Sequence, residues 1–174
     1  VVTGGNKGIG FEIARKLAEQ KGVKTILTAR STERGAAACD ALKKDGLEVQ
    51  FHLLNIDDKK SIATFSEWIR KEYGGLDILV NNAAVAFKSS DPTPFKGQAA
   101  PTLKTNYWGT LDVCEALIPI MREGGNVVNV ASRAGTSALK GMSEERRVEF
   151  LDPKMTKEGL GKLCNTFVED VKDG

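Results

Sequence analysis

Three glycines open this chain at a spacing suited to holding phosphate. In VVTGGNKGIG, a short apolar strand runs into the turn Gly4-x3-Gly8-x-Gly10. Backbone N–H groups approach an anion closely only where no Cβ intervenes. A helix opening at Gly10 would aim its positive end at the same point. Twenty residues beyond Gly10, at the end of the strand-like run Thr25–Ala29, stands Arg30. An acid at that place binds a ribose 2′-hydroxyl, whereas an arginine suits a 2′-phosphate. Lys7 lies inside the turn and Arg34 one helical turn past Arg30, bringing two more cations to one pocket. The opening thus predicts an NADP(H) site. Taken singly, each glycine could simply build a turn and each cation could be a solvated surface charge. Their convergence favours the cofactor.

Other reactive side chains are sparse. His52 is the single histidine, on a predicted strand, and reads as filler of core or surface. Cys39, Cys114 and Cys164 are far apart, with no Cys-x2-Cys pair, and read as reduced, helix-borne core thiols of a cytoplasmic protein. Metal chemistry is not expected. A formal charge of +2 over 174 residues leaves no electrostatic footprint for nucleic acid or anionic membrane. No apolar run reaches the roughly eighteen residues of a spanning helix, and no signal peptide is present. The length suits one domain. Val1 is not a methionine and already lies in a strand, so the chain reads as clipped at its front.

The elements that must position these residues alternate. A helix is expected from Gly10 to Gln20, the strand Thr25–Ala29, a helix from Glu33 to Asp45 and a strand from Glu48 to Leu54. A helix from Asp58 to Tyr73 carries Ile62, Phe65 and Ile69 on one stripe. The strand Asp77–Val80 ends in Asn81-Asn82, and a loop with Pro92, Pro94 and Gly97 precedes a long helix from Pro101 to Arg122. Pro119 can kink its last turn. The strand Asn126–Ala131 ends at Ser132, on the side of an open sheet where ligands bind. Then the alternation stops. A short helix from Ser143 to Phe150 is expected, and another after Pro153, where Leu160, Leu163, Cys164, Phe167, Val168 and Val171 recur at helical spacing. The fold expected is α/β: a Rossmann-type, doubly wound parallel sheet, incomplete at about five strands, with a helical extension. One dinucleotide-binding domain would cover 1–174, with 134–174 as a helical insertion.

In order and spacing, TGGNKGIG, LVNNAA, KTNYWG and VVNVAS resemble the short-chain dehydrogenase/reductase family over essentially the whole chain. More narrowly, AR-x3-RG, KEYGGLDILVNN, AFK-x2-DPTPF and LKTNYWGTLDVC are similar to the monomeric NADPH-dependent carbonyl reductases. The resemblance implies that Thr3, Gly4, Asn6, Lys7, Gly8, Ile9 and Gly10 form the phosphate turn, and Arg30 and Arg34 the 2′-phosphate site. Asn55 and Ile56 fall beside the adenine, where the family usually has Asp in place of Asn55. The amide oxygen of Asn55 can still accept from the adenine amino group, so weaker adenine binding without loss of cofactor is expected. Asn82 falls under the cofactor's ribose, and Ala84 replaces the usual glycine of the NNAG motif.

For chemistry the family uses Asn, Ser, Tyr and Lys. Asn106 matches the asparagine, holding a water in a proton relay. Ser132 matches the serine that hydrogen-bonds the substrate carbonyl as hydride arrives. Read alone, Ser132 is a helix cap or loop hydroxyl, and Asn106 a buried amide tying down helix backbone. The Tyr-x3-Lys pair is missing, since Tyr73 is followed four residues on by Asp77 and Tyr107 by Leu111. In the carbonyl reductases that pair lies about a dozen residues past the segment matched here, so Gly174 reads as a truncation point.

The reading is an NADPH-dependent carbonyl reductase acting by hydride transfer on ketones and aldehydes, this chain alone being inactive. Phe87, Lys88 and Gln98 match a stretch that holds glutathione or its adducts. A small-molecule substrate, no nucleic acid or membrane partner, and a monomeric full-length form are expected. The alternative is a non-catalytic NADP(H)-binding short form acting as a sensor or partner protein.

Overall fold

The middle of the sheet is made by the first residues of the chain. In the computed structural model, which describes residues 1–173, Val2 forms parallel bridges to Leu27 and to Val80. Leu27 belongs to β1 (Thr25–Ala29) and Val80 to β3 (Leu76–Asn81). β1 pairs in parallel with β2 (Val49–Leu53), Ala29 opposite Leu53, and β3 with β4 (Met121–Asn129), Asn81 opposite Asn129. The order is therefore β2-β1-Val2-β3-β4, all parallel. The first expected strand is only one bridged residue long, yet its backbone bonds are those of a strand. Val2 N–H donates to Ile26 (2.9 Å), Thr28 donates back to Val2 (3.0 Å), and Thr3 N–H donates to Val80 (3.0 Å).

Helices cover both faces, as parallel strands require. α1 (Gly8–Ala18) and α2 (Thr32–Lys44) bury Ala14, Ala38 and Leu42 against Leu27, Val80 and Val2. On the other face, α3 (Lys59–Tyr73) lays the stripe Ile62, Phe65 and Ile69 on Leu79, Val113 and Leu117. Each such side chain contributes about 1.5–3 kcal/mol when taken from water. Asp58 caps α3, and Gly74 ends it at φ +70°. The expected boundaries of these three helices hold to within two residues.

Farther on, the expected helix from Pro101 to Arg122 is not a single element. α4 (Phe95–Leu103) contains Pro101, a π-helical stretch follows over Lys104–Gly109, α5 spans Thr110–Leu117, and a 3₁₀ turn covers Ile118–Ile120. Pro119 lacks the N–H an α-helix would need, so the helix stops before it. β4 then begins at Met121 and not at Asn126, and ends at Asn129 short of Ala131. A register shift between Leu76 and Ile78, with Gly124 at φ +78°, absorbs the extra length. The start of β4 is tied down by Arg122, whose guanidinium bonds Asp77 (2.7 Å) and the carbonyl of Tyr73.

Tertiary contacts divide the chain into two compact units. The first, 1–86 with 104–130, holds the sheet, α1, α2, α3 and α5. The second joins 87–103 to residues from 131 onward. It is helical, with α4 packed on α8 (Lys157–Asp173), and it adds α6 (Arg133–Gly141) and α7 (Glu144–Phe150). α6 falls at the start of the helical segment expected over 134–174, without bounds of its own in the sequence, whereas α7 and α8 have them. Arg146 links Glu149 (3.0 Å) and Asp170 (4.0 Å). Gly174 lies outside the described residues. No described helix is long and apolar enough to cross a membrane.

Candidate functional site

In the first unit a cleft of about 530 Å³ opens where β1, β2 and β3 end. Its floor is the turn before α1, with Gly4, Asn6, Lys7, Gly8 and Ile9 on the lining. Gly4 and Gly8 take φ +63° and +58°, a conformation glycine adopts without strain. A side chain on Gly4 would come within 2.9 Å of the Ala83 Cα, whereas one on Gly8 would point into open space. α1 has no side-chain cap and no acid in its first turn. α2 and α3, by contrast, are capped by Ser31 (3.3 Å to Arg34 N) and Asp58 (2.9 Å to Lys60 N). The first N–H groups of α1 are thus left for an anion.

Behind the turn, Thr3 and Asn82 form a hydrogen-bonded hub. The buried Thr3 hydroxyl donates to Val80 (3.3 Å) and accepts from Asn82 N–H and Ala83 N–H (3.0 Å each). Asn82 Nδ2 donates to the carbonyls of Thr3 (2.9 Å) and Gly4 (3.1 Å). Thr3 and Gly10 do not reach the cleft surface, although the sequence places them in the phosphate turn. Their part is to hold it: Thr3 anchors the end of β3, and Gly10 leaves room for Asn82. Ala84 lines the cleft without strain, since no non-glycine residue has positive φ among those described.

Arg30, Arg34 and Lys7 all line the cleft, are exposed, and have no ion pair among the described residues. Beside them, the turn after β2 contributes Leu54, Asn55, Ile56 and Asp57. Asn55 Oδ1 accepts from Asp57 N–H (3.2 Å). One oxygen of Asp57 accepts from the Thr105 hydroxyl (3.1 Å), and the other is buried without a donor. Thr105 and Asp57 are absent from the sequence-derived set. An acid two residues past Asn55 was the available signal, but nothing in spacing told of its partner 48 residues away.

Asn106 follows Thr105 in the π-helical stretch. Its Oδ1 accepts from Val85 N–H and its Nδ2 donates to Val85 C=O, both at 2.8 Å. The amide clamps the chain beyond Asn82, leaving one N–H and one lone pair for any water. Ser132 belongs to the second unit and caps α6, its Oγ accepting from Ala134 N–H (3.1 Å). Phe87, Lys88 and Gln98 are in that unit too. Phe87 is half-buried, Lys88 is exposed, and Gln98 Nε2 donates to Thr93 C=O (2.6 Å).

His52 packs with a tilted ring against Phe65 and Trp68, its Nδ1 2.7 Å from the Leu53 carbonyl. No group of three or more His, Cys, Asp or Glu side chains able to hold a metal occurs among the described residues. All three cysteines are free and helix-borne, but only Cys164 is buried, a correction to the expectation of three core thiols. Cys39 and Cys114 sit on helix flanks and remain partly open. Burial raises the thiol pKa of both Cys39 and Cys164.

The short chain dehydrogenase family profile matches residues 1–144. Human carbonyl reductase (NADPH) 1 is 51% identical over 174 residues, all of this chain and 63% of that protein. The chain therefore spans less than two thirds of the curated relatives' length. Salutaridine reductase from Papaver somniferum is similar in structure, with TM-score 0.87 and 32% identity, covering 99% of this chain and 70% of that one. A metagenomic short-chain oxidoreductase in complex with NADP matches at TM-score 0.67 and 31% identity, over 77% of this chain and 62% of that one.

Proposed function

The chain belongs to the short chain dehydrogenase family, and on that premise we propose that it binds NADP(H) and serves the reduction of ketone and aldehyde carbonyls. One observation carries the reading: three cations without an ion pair among the described residues, Lys7, Arg30 and Arg34, line the cleft with an uncapped glycine turn. The fit to the cofactor is chemical. Positive-φ glycines and free N–H groups suit a pyrophosphate, and arginines where an acid would select a bare ribose suit a 2′-phosphate. The names of the relatives, NADPH carbonyl reductases among them, and a family structure holding NADP point the same way.

When bound, the cofactor supplies a hydride. Lys7, Arg30 and Arg34 neutralise its phosphates, and the hub of Thr3 and Asn82 keeps the turn in shape to receive them. To Ser132 we assign donation to the substrate carbonyl oxygen. Capping uses a lone pair of Oγ and leaves the O–H free, so both readings of this serine are compatible. Asn106 holds the Val85 segment in place and keeps one N–H and one lone pair for a relay water. Phe87, Lys88 and Gln98 are assigned to glutathione or its adducts, the exposed Lys88 ammonium meeting a carboxylate. Neither tyrosine has a lysine four residues on. The 174-residue chain alone accordingly lacks the general acid, a deficit of about 10²–10⁴ in rate. The non-catalytic alternative gains no support from the relatives.

Titration with NADPH and NADH, followed by cofactor fluorescence, tests the reading. Tighter binding of NADPH is the expected result, and equal affinity or no binding overturns it.

A further inference from the structure

The base end of the cleft departs from what its residue types alone imply. Leu54 N–H donates to the Ala29 carbonyl (2.9 Å), so the end of β2 lies directly beside the end of β1. A base on a ribose whose 2′-phosphate meets Arg30 therefore projects onto the turn after β2, where Asn55 stands on the lining. This turn is internally bonded. Asn55 N–H donates to Ser61 Oγ (2.9 Å), its carbonyl accepts from Asp58 N–H (3.1 Å), and its Oδ1 accepts from Asp57 N–H (3.2 Å). The last bond fixes the amide's orientation, since flipping it would set Nδ2 against another N–H donor. With one lone pair of the oxygen turned into its own loop, the amide keeps its second lone pair and the whole –NH₂, which has no partner among the described residues. An aspartate could make the same turn and offer a second acceptor instead. The position where an aspartate could only accept from a purine's 6-amino group can here also donate.

We propose that Asn55 presents an N–H donor to the base of the bound dinucleotide, so that the cleft takes a 6-oxopurine as readily as a 6-aminopurine. This rests on the NADP(H) reading above. A 6-oxo group accepts the Asn55 N–H, whereas a 6-amino group has only the one lone pair that Asp57 N–H leaves on Oδ1. Base preference is then set by one side chain, the amide of Asn55.

The probes are NADPH and its 6-oxo analogue, reduced nicotinamide hypoxanthine dinucleotide phosphate, titrated by fluorescence into the protein and into Asn55→Asp and Asn55→Ala, with melting curves for each. The unsubstituted protein is expected to bind both probes with similar affinity. Asn55→Asp should move the ratio toward NADPH by about tenfold, the scale of one hydrogen bond exchanged for a repulsion. Asn55→Ala should weaken the 6-oxo analogue more than NADPH. A strong preference of the unsubstituted protein for NADPH that neither substitution changes overturns the proposal while leaving the cofactor reading intact. If neither probe binds, the cofactor reading falls and the proposal with it.

Discussion

Asn82 fills the space that a side chain on Gly10 would need: a Cβ there would lie 2.2 Å from Asn82 Nδ2 and 2.7 Å from the Gly4 carbonyl oxygen. Gly10 is helical with ordinary φ, so its glycine is required by packing and not by backbone conformation. The same Nδ2 bonds the carbonyls of Thr3 and Gly4. The glycine turn is thus supported from the residue that follows β3, 72 residues beyond Gly10 in sequence.

Gly10→Ala should therefore expel Asn82 from both carbonyls. Overpacking at such a site costs about 1–3 kcal/mol, and NADPH affinity should fall because Gly4 loses its support. Melting curves and NADPH titration measure the two effects. Gly8→Ala is the useful contrast, since its Cβ meets nothing within 4 Å and it bears only the left-handed penalty of about 1–2 kcal/mol. Unchanged stability and binding in Gly10→Ala would show that Asn82 has room to move.

Cofactor choice should invert on charge reversal at Arg30. The guanidinium is exposed on the cleft lining and has no ion pair among the described residues, so it is available for a phosphate. A charge-assisted bond of this kind contributes about 1.5–3 kcal/mol. Arg30→Asp should weaken NADPH by one to two orders of magnitude on that scale and improve NADH, whose 2′-hydroxyl can donate to the new carboxylate. The ratio of the two dissociation constants decides, and a ratio that does not change removes Arg30 from the site.

Much of this was legible in the chain. Apolar runs and glycine spacing place β1, β2, β3 and α1 to α3, because each helix buries one stripe at helical spacing while a strand such as β1, buried at every residue, reads as a short continuous run. The cations on the cleft follow from the same spacing. What spacing could not tell is where side chains close on distant backbone: Asn82 on Thr3, Asn106 on Val85, Thr105 on Asp57. The break of the expected long helix into α4, a π-helical stretch and α5 is of the same kind. Thr105 bonds Asp57 and Asn106 bonds Val85 from neighbouring positions of that stretch, and the backbone is π-helical there.

Thr105→Val removes the hydroxyl that holds Asp57 while keeping the shape of the side chain. It leaves a second carboxylate oxygen of Asp57 without a donor, at a cost of about 1–3 kcal/mol. The turn containing Asn55 should loosen, so NADPH binding should weaken, and Thr105→Ser should restore it. A fall in melting temperature with NADPH affinity intact would confine Thr105 to stability.

Thiol chemistry should follow burial and not mere presence. Cys39 and Cys164 have pKa values raised by desolvation, with the charge of Asp40 adding to the effect at Cys39. The thiolate is the reactive form, so alkylation of both by iodoacetamide should be slow near neutral pH and accelerate only above the ordinary thiol range. Cys164, on the buried side of α8, should also need opening of the helical unit. Rapid labelling of Cys164 at neutral pH in folded protein would contradict its placement.

Association of the 174-residue chain should be governed by β4. The strand pairs with β3 on one side and with no other strand among the described residues. Its last part and the next residues read Asn126-Val127-Val128-Asn129-Val130, with no charge and no proline. Val127, Val128 and Val130 remain 38%, 48% and 38% exposed. Unpaired backbone beside exposed β-branched side chains is a template for another strand, and charge or proline is what blunts such an edge. The purified chain is therefore expected to self-associate as concentration rises, seen as growing light scattering. Val128→Lys should suppress it, because a lysine on an edge strand resists pairing without disturbing the face turned to the core. A monodisperse monomer at every concentration, or association equally strong in Val128→Lys, would place the sticky surface elsewhere on the molecule.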